Sequence, residues 1–295
     1  MSCLFVEYSL AINDTDLIQC TAQCSQVTIS FDQRLVFPSD CQDNRYEYAL
    51  ACGIEYQINY DKQEITIDFQ ATNDTGSLED QKPSEFLVQT AVLGLSSNIP
   101  EQTTIVRKYG CNTNNDCARR YYLNTINYLV TEVSASLEMI RYKLQNDSLI
   151  VGEESRRRCI DSSRTASHPS KRCPTGLCYA HVETYNLNGA QSSKIQRCDE
   201  GNARPMFMSE IERHTPPSSA KEREILKYRC NKNVCNRNDF IERIETLVSE
   251  LTNGTPRIPS DQTASGKKMA NSAVEQTISS SLLVLFSFLL HQQWI

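Results

Sequence analysis

The chain has no excess of basic charge. Its 30 Lys and Arg stand against 36 Asp and Glu, a net charge of −6. A nucleic-acid surface draws affinity from displaced counterions and needs a basic field, so no nucleic-acid partner is expected. No apolar run reaches the roughly 20 residues a membrane-spanning helix needs. No phosphate-cradling loop, nucleophile elbow or paired-histidine helix occurs. His168, His181, His214 and His291 are scattered, so an enzyme would have no residue to carry it; no catalytic residue, cofactor or metal site is expected. The nearest metal-like spacing, Cys173-x4-Cys178-x2-His181, reads as halves of disulfides, because extracellular cysteines at this density are oxidised. The one basic run, Arg156-Arg157-Arg158, reads as a solvated linker. With one tryptophan in 295 residues, the core is expected to be thin.

What is abundant is cysteine: 13 residues in a background of Asn, Gln, Ser and Thr. A thin core held by covalent staples places folding in an oxidising compartment. Sequons at Asn13, Asn73, Asn146 and Asn253 point the same way, each an acceptor for surface glycan in a secreted chain. Near the C-terminal end, Asn271-Ser272-Ala273, the polar stretch VEQTISSS and the apolar run LLVLFSFLL stand in the order of a glycolipid-attachment signal. The run is about half a bilayer span, and no Lys or Arg follows it. Asn271 is the expected attachment residue, 253–271 a stalk, and 272–295 a removed signal. The membrane partner is then reached through the lipid alone, on the outer leaflet at the cell surface. At the other end MSCLFVEYSLAIN is apolar but carries Glu7 and no basic start. Residues 1–19 therefore read as a partial signal peptide, with the natural start expected elsewhere.

One box is written twice. KYGCNTNNDCARRYYLNTINYLV begins at Lys108 and KYRCNKNVCNRNDFIERIETLV at Lys227, aligned with a single one-residue gap. A duplication explains this, and a prior of about 150 residues per domain also gives about two domains. Excluding Cys3, the cysteines divide six and six, and six can pair in fifteen ways. GIEYQINY and EITIDFQA, separated by Asp61-Lys62-Gln63, alternate as two hairpin strands should, and TTIVRKY and EILKY lead into the last cysteine pairs. After each box apolar residues recur at helical steps: Ile126, Leu129, Val130, Val133, Leu137, Ile140 and Leu144, then Ile244, Leu247, Val248 and Leu251. These predict helices that cover their own sheets, with a partner-binding stripe as the alternative.

The second copy resembles the three-finger family that includes the urokinase receptor, the lymphocyte-antigen-six surface proteins and the snake neurotoxins. The resemblance rests on Cys178-Tyr179-Ala180, on Asn188-Gly189 inside an apparent hairpin ending at Cys198, and on the closing Cys230-Asn-Lys-Asn-Val-Cys235-Asn236. It implies pairs Cys159–Cys178, Cys173–Cys198 and Cys230–Cys235, with Asn236 bonding backbone at the base of the fingers. Applied to the first copy, it implies Cys20–Cys52, Cys24–Cys41 and Cys111–Cys117. There Cys20-x3-Cys24 and Cys111-x5-Cys117 are each one residue longer than the family's spacing, and Ala118 replaces the closing asparagine. Cys3 is left over. The expected fold is small, disulfide-rich and all-β: two tandem three-finger modules, each followed by a short amphipathic helix. Their bounds are 20–145 and 159–252, with a linker at 146–158. The resemblance implies a receptor, co-receptor or modulator that binds an extracellular protein or peptide through its finger loops. Candidate contacts are the segment from Tyr179 to Leu187 and the loop from Gly201 to Lys221. The alternative is a structural coat glycoprotein without a specific ligand.

Overall fold

The computed structural model describes residues 17–22, 24–34, 37–38, 41, 46–73, 78, 83–95, 103–146, 157–165, 169–173, 176–185, 191–199, 204–215 and 222–253. Cys3, Asn13, the turn Asn188-Gly189, Asn271 and all of 272–295 lie outside them. Residues 1–258 form one compact unit. No helix of the described residues is long and apolar enough to cross a membrane.

The first half contributes strands β1 (Ile18–Thr21), β2 (Cys24–Ser30), β3 (Tyr46–Ala49), β4 (Ala51–Asn59), β5 (Glu64–Thr72), β6 (Glu85–Gly94) and β7 (Thr103–Cys111). A helix follows: α1 (Cys117–Tyr128), one π turn over Leu129–Val133, and α2 (Ser134–Asn146). The second half contributes β8 (Arg158–Ile160), β9 (Ser170–Arg172), β10 (Leu177–Tyr185), β11 (Gln191–Asp199), β12 (Met206–Thr215), β13 (Arg223–Cys230) and α3 (Asn238–Asn253). β1 pairs with β3 and β8 with β9; the rest join one antiparallel sheet in the order β11-β10-β13-β12-β6-β7-β4-β5-β2. Each half thus repeats one local order, with β6-β7-β4-β5 matched by β12-β13-β10-β11.

Alternation decides which face is covered. In β4 Ile54, Tyr56 and Ile58 are buried while Glu55 and Gln57 are exposed, and in β5 Ile65, Ile67 and Phe69 are buried. The helices lie on that apolar face. Ile126, Leu129, Val130, Val133, Leu137, Ile140 and Leu144 are all buried, as are Ile244 and Val248 of α3, and α2 packs on α3. The helix side is therefore core, as the periodicity implies. The π turn has an identifiable partner: the Tyr60 hydroxyl, beyond the end of β4, donates to the Leu129 carbonyl at 2.8 Å, satisfying a backbone group at the irregular turn.

The two halves are joined through β6 and β12, which pair antiparallel from Glu85 opposite Thr215 to Gly94 opposite Met206. Leu87 and Phe207 occupy equivalent places, facing Tyr109 and Tyr228 of the repeated box. Three residues further along each strand come Thr90 and Glu210, and these two face each other across the joint. The pairing is self-complementary about an approximate two-fold axis between them, with the Thr90 hydroxyl 3.5 Å from Glu210 Oε2.

β12 corrects one expectation. Gly201 to Lys221 was expected to be a loop, yet Met206–Thr215 is a central strand. Its buried Phe207, Ser209 and Ile211 alternate with Met208, Glu210 and Glu212, and the charged positions mask that period. Within the basic run Arg158 is exposed but Arg157 is buried. Its guanidinium donates to the Asn231 carbonyl at 2.9 Å and to the Gly176 carbonyl.

Candidate functional site

Six bridges staple the sheet: Cys20–Cys52, Cys24–Cys41 and Cys111–Cys117 in the first half, and Cys159–Cys178, Cys173–Cys198 and Cys230–Cys235 in the second. These are the pairs that the resemblance implies. The sulfurs of Cys178, Cys230 and Cys235 lie within 4.8 Å of one another, as do those of Cys159, Cys173 and Cys198. All six are consumed in bridges, so none is a free thiolate ligand. His181, three residues along β10 from Cys178, falls on the opposite face of the strand.

Asn236 closes the second half. It is fully buried. Its side-chain carbonyl accepts from the Ile160 N–H at 2.8 Å, and its amide donates to the carbonyls of Ile160 at 2.9 Å and Tyr179 at 3.1 Å. One side chain thus ties β8 to β10. Asn236→Ala strands buried backbone groups and is expected to cost about 3 kcal/mol, read as a lower urea midpoint; a change below about 0.5 kcal/mol would show that these bonds are not made.

In the first half Ala118 cannot do this, and Asp116 takes the part. Its Oδ1 accepts from the Thr21 N–H at 3.0 Å and the Thr21 hydroxyl at 2.7 Å. Asp116 and Val234 share a left-handed backbone, φ 55° and 49°. Each donates its N–H at 2.7 Å to the residue before the first cysteine, Gln19 or Arg158. Asn115 and Asn233 accept the N–H of those same two residues, at 3.0 and 2.9 Å. The extra residue of Cys111-x5-Cys117 therefore falls before Asn115, and the closing bond moves from one side of the last cysteine to the other.

The face of the sheet away from the helices carries the remaining chemistry. Arg223 reaches across three strands to Glu212 at 2.9 Å, Glu210 at 3.2 Å and Glu183 at 3.6 Å. Within the expected contact segment, Tyr179 packs under the Arg197 guanidinium, 4.9 Å from its ring centre, and beside that of Arg229 at 6.0 Å. Arg229 also holds Asp199 at 2.6 Å. Cation and ring attract through the ring's quadrupole, which fixes this cluster in place. Phe86 of the first half stacks on His214 of the second, with ring centres 6.3 Å apart.

His181 lies on this face. Burial and the neighbouring Lys227 hold its imidazole below the ordinary histidine range, against the pull of Glu183. The folded state therefore favours the neutral ring. The unfolded chain takes the proton first, so stability present above pH 6.5 is lost as pH falls through the lower folded value. His181→Gln is expected to flatten that acid limb, by less than about 1 kcal/mol because solvent screens a ring that is only partly buried. Equal slopes in the two proteins between about pH 6.5 and 5 would remove His181 from the account.

Of the sequons, Asn73 is exposed at the end of β5, its side-chain carbonyl accepting the Leu50 N–H at 3.3 Å. Asn146 and Asn253 are the last residues of α2 and α3.

These features define a disulfide-rich, mostly β-stranded protein with few helices. The chain matches no protein-family model, no curated protein and no solved structure.

Proposed function

We propose that the chain is a glycolipid-anchored, N-glycosylated cell-surface protein of two three-finger modules, which binds a protein or peptide through its finger loops and open sheet face, without catalysis. One observation carries the binding part. Among the described residues, the two halves share a continuous sheet whose helices cover a single face, leaving the other as a broad platform rigidified by bridges. Rigid scaffolds that present loops and an uncovered surface bind with little ordering cost. The C-terminal signal and the sequons support the surface location.

Treating cells with a phosphatidylinositol-specific phospholipase tests the anchor: release is expected, and retention on the membrane overturns it. Surface proximity capture tests the binding, since a receptor recovers a small reproducible partner set whereas a coat recovers abundant neighbours. Disulfide mapping tests the modules, and Cys230 bridged to anything but Cys235 sinks the assignment for the second half.

A further inference from the structure

The three bridges of the second half stand sulfur to sulfur. The Cys159 sulfur lies within 4.8 Å of both sulfurs of Cys173–Cys198, and the Cys178 sulfur within 4.8 Å of both sulfurs of Cys230–Cys235. Because Cys159 and Cys178 are themselves bonded, the sulfurs form one connected row. The first half is built differently. Among the described residues no three of its cysteine sulfurs come that close, and Ala71 stands opposite Cys52 where Cys198 stands opposite Cys178.

Access also differs along the row. Cys159, Cys173, Cys178, Cys230 and Cys235 are fully buried, whereas Cys198, on the outermost strand β11, is half-buried. Its partner is shut in by backbone, since a Cβ on Gly176 would stand 2.9 Å from the Cys173 sulfur. The bridged cysteines of the first half are all buried. Thiol–disulfide exchange requires a thiolate to reach a disulfide sulfur, so access selects the sulfur attacked. Of the bridged cysteines, Cys198 is the one within reach.

We propose that Cys198 is a thiol-exchange site, attacked by a low-molecular-weight thiol such as glutathione, and that the opening passes inward to Cys159–Cys178. In the first step the external thiolate bonds to the Cys198 sulfur, the Cys173–Cys198 bond breaks, and its electron pair leaves Cys173 as a thiolate. Cys173 then attacks the neighbouring Cys159 sulfur. The Cys159–Cys173 bond forms, the Cys159–Cys178 bond breaks, and Cys178 departs as a thiolate that takes a proton from water. Each step makes one S–S bond and breaks one. The external sulfur ends oxidised, as a mixed disulfide on Cys198, and Cys178 ends reduced. This modification lies beyond the binding platform and does not rest on it.

The test exposes the full chain carrying Cys3→Ser, which removes the cysteine outside the six bridges, to reduced glutathione. Free thiols are trapped with N-ethylmaleimide, and an unreduced peptic digest, made at low pH where exchange stops, is mapped by mass spectrometry. The first products expected are glutathione on Cys198, a Cys159–Cys173 link and the maleimide on Cys178. Cys20–Cys52, Cys24–Cys41 and Cys111–Cys117 should open at least about tenfold more slowly, because no thiol reaches them. Urea below the unfolding transition should leave the rate unchanged, since the folded chain is what is attacked. The site is overturned by glutathione first appearing on another cysteine, by first-half bridges opening as fast, or by a rate that follows the unfolded fraction. It is overturned equally by no adduct at all. Maleimide resting on Cys173 with no Cys159–Cys173 link overturns the inward passage. Surface capture reads ligand binding separately, so none of these results touches the binding function.

Discussion

Replacing Cys159 and Cys178 together by serine is expected to remove about 3 kcal/mol of stability, because the bridge closes a loop of 19 residues and frees that closure entropy when lost. Domains have about 5–15 kcal/mol in all, so the loss is a large share of the total. In a unit of this size the melting midpoint should fall by roughly 6–12 °C. The matching change at Cys20 and Cys52, which closes 32 residues, should cost about 4 kcal/mol. Near-UV circular dichroism during heating reads both. Should either double variant melt within about 2 °C of the parent, the corresponding bridge contributes nothing and the staple account fails.

The second large effect is at the joint. Phe207 is fully buried, opposite Leu93 of the first half and Tyr228 of its own. Phe207→Ala removes a ring from a close-packed site and is expected to cost about 3–5 kcal/mol. The cost should appear in both halves. Amide exchange at Ala91 and Leu93 of β6 should accelerate along with that of β12, since the two strands share one ladder. Unchanged protection of β6 beside a destabilised β12 would mean that the halves do not pair in solution.

Much of this architecture is legible in the sequence where the physics is local. The hairpin of β4 and β5 announces itself because Ile54, Tyr56, Ile58, Ile65, Ile67 and Phe69 alternate without exception. The helices announce themselves by steps of three and four, although the π turn at Leu129–Val133 leaves no mark, because the hydroxyl that meets it belongs to Tyr60, just beyond the end of the distant β4. The cysteine pairs follow from resemblance, not from spacing, which leaves fifteen possibilities per half. β12 stays hidden because charge falls on both of its faces, Glu210 and Glu212 on the open one and Arg213 on the other. Those charges are matched by Arg223 and Glu224 on the neighbouring strand, a match that only the pairing of β12 with β13 sets up. Asp116 replaces the closing asparagine for a similar reason: its carboxylate accepts from Thr21, and only the fold brings that donor close. Gly53 and Gly110 are 57 residues apart, and only the ladder sets them side by side.

A symmetric joint also closes. β6 and β12 each spend their outer edge on the other, so among the described residues the nine-stranded sheet ends at β11 and β2. A shift between Cys24 and Val27 interrupts β2, and Ser162 occupies both the N–H and the carbonyl of Gln196 in β11. Both are devices that discourage a further strand from adding. Because the partners in the joint belong to one polypeptide, their meeting is a loop closure and not an encounter between molecules. Dilution therefore leaves it intact, and the sheet is whole in a single copy of the chain.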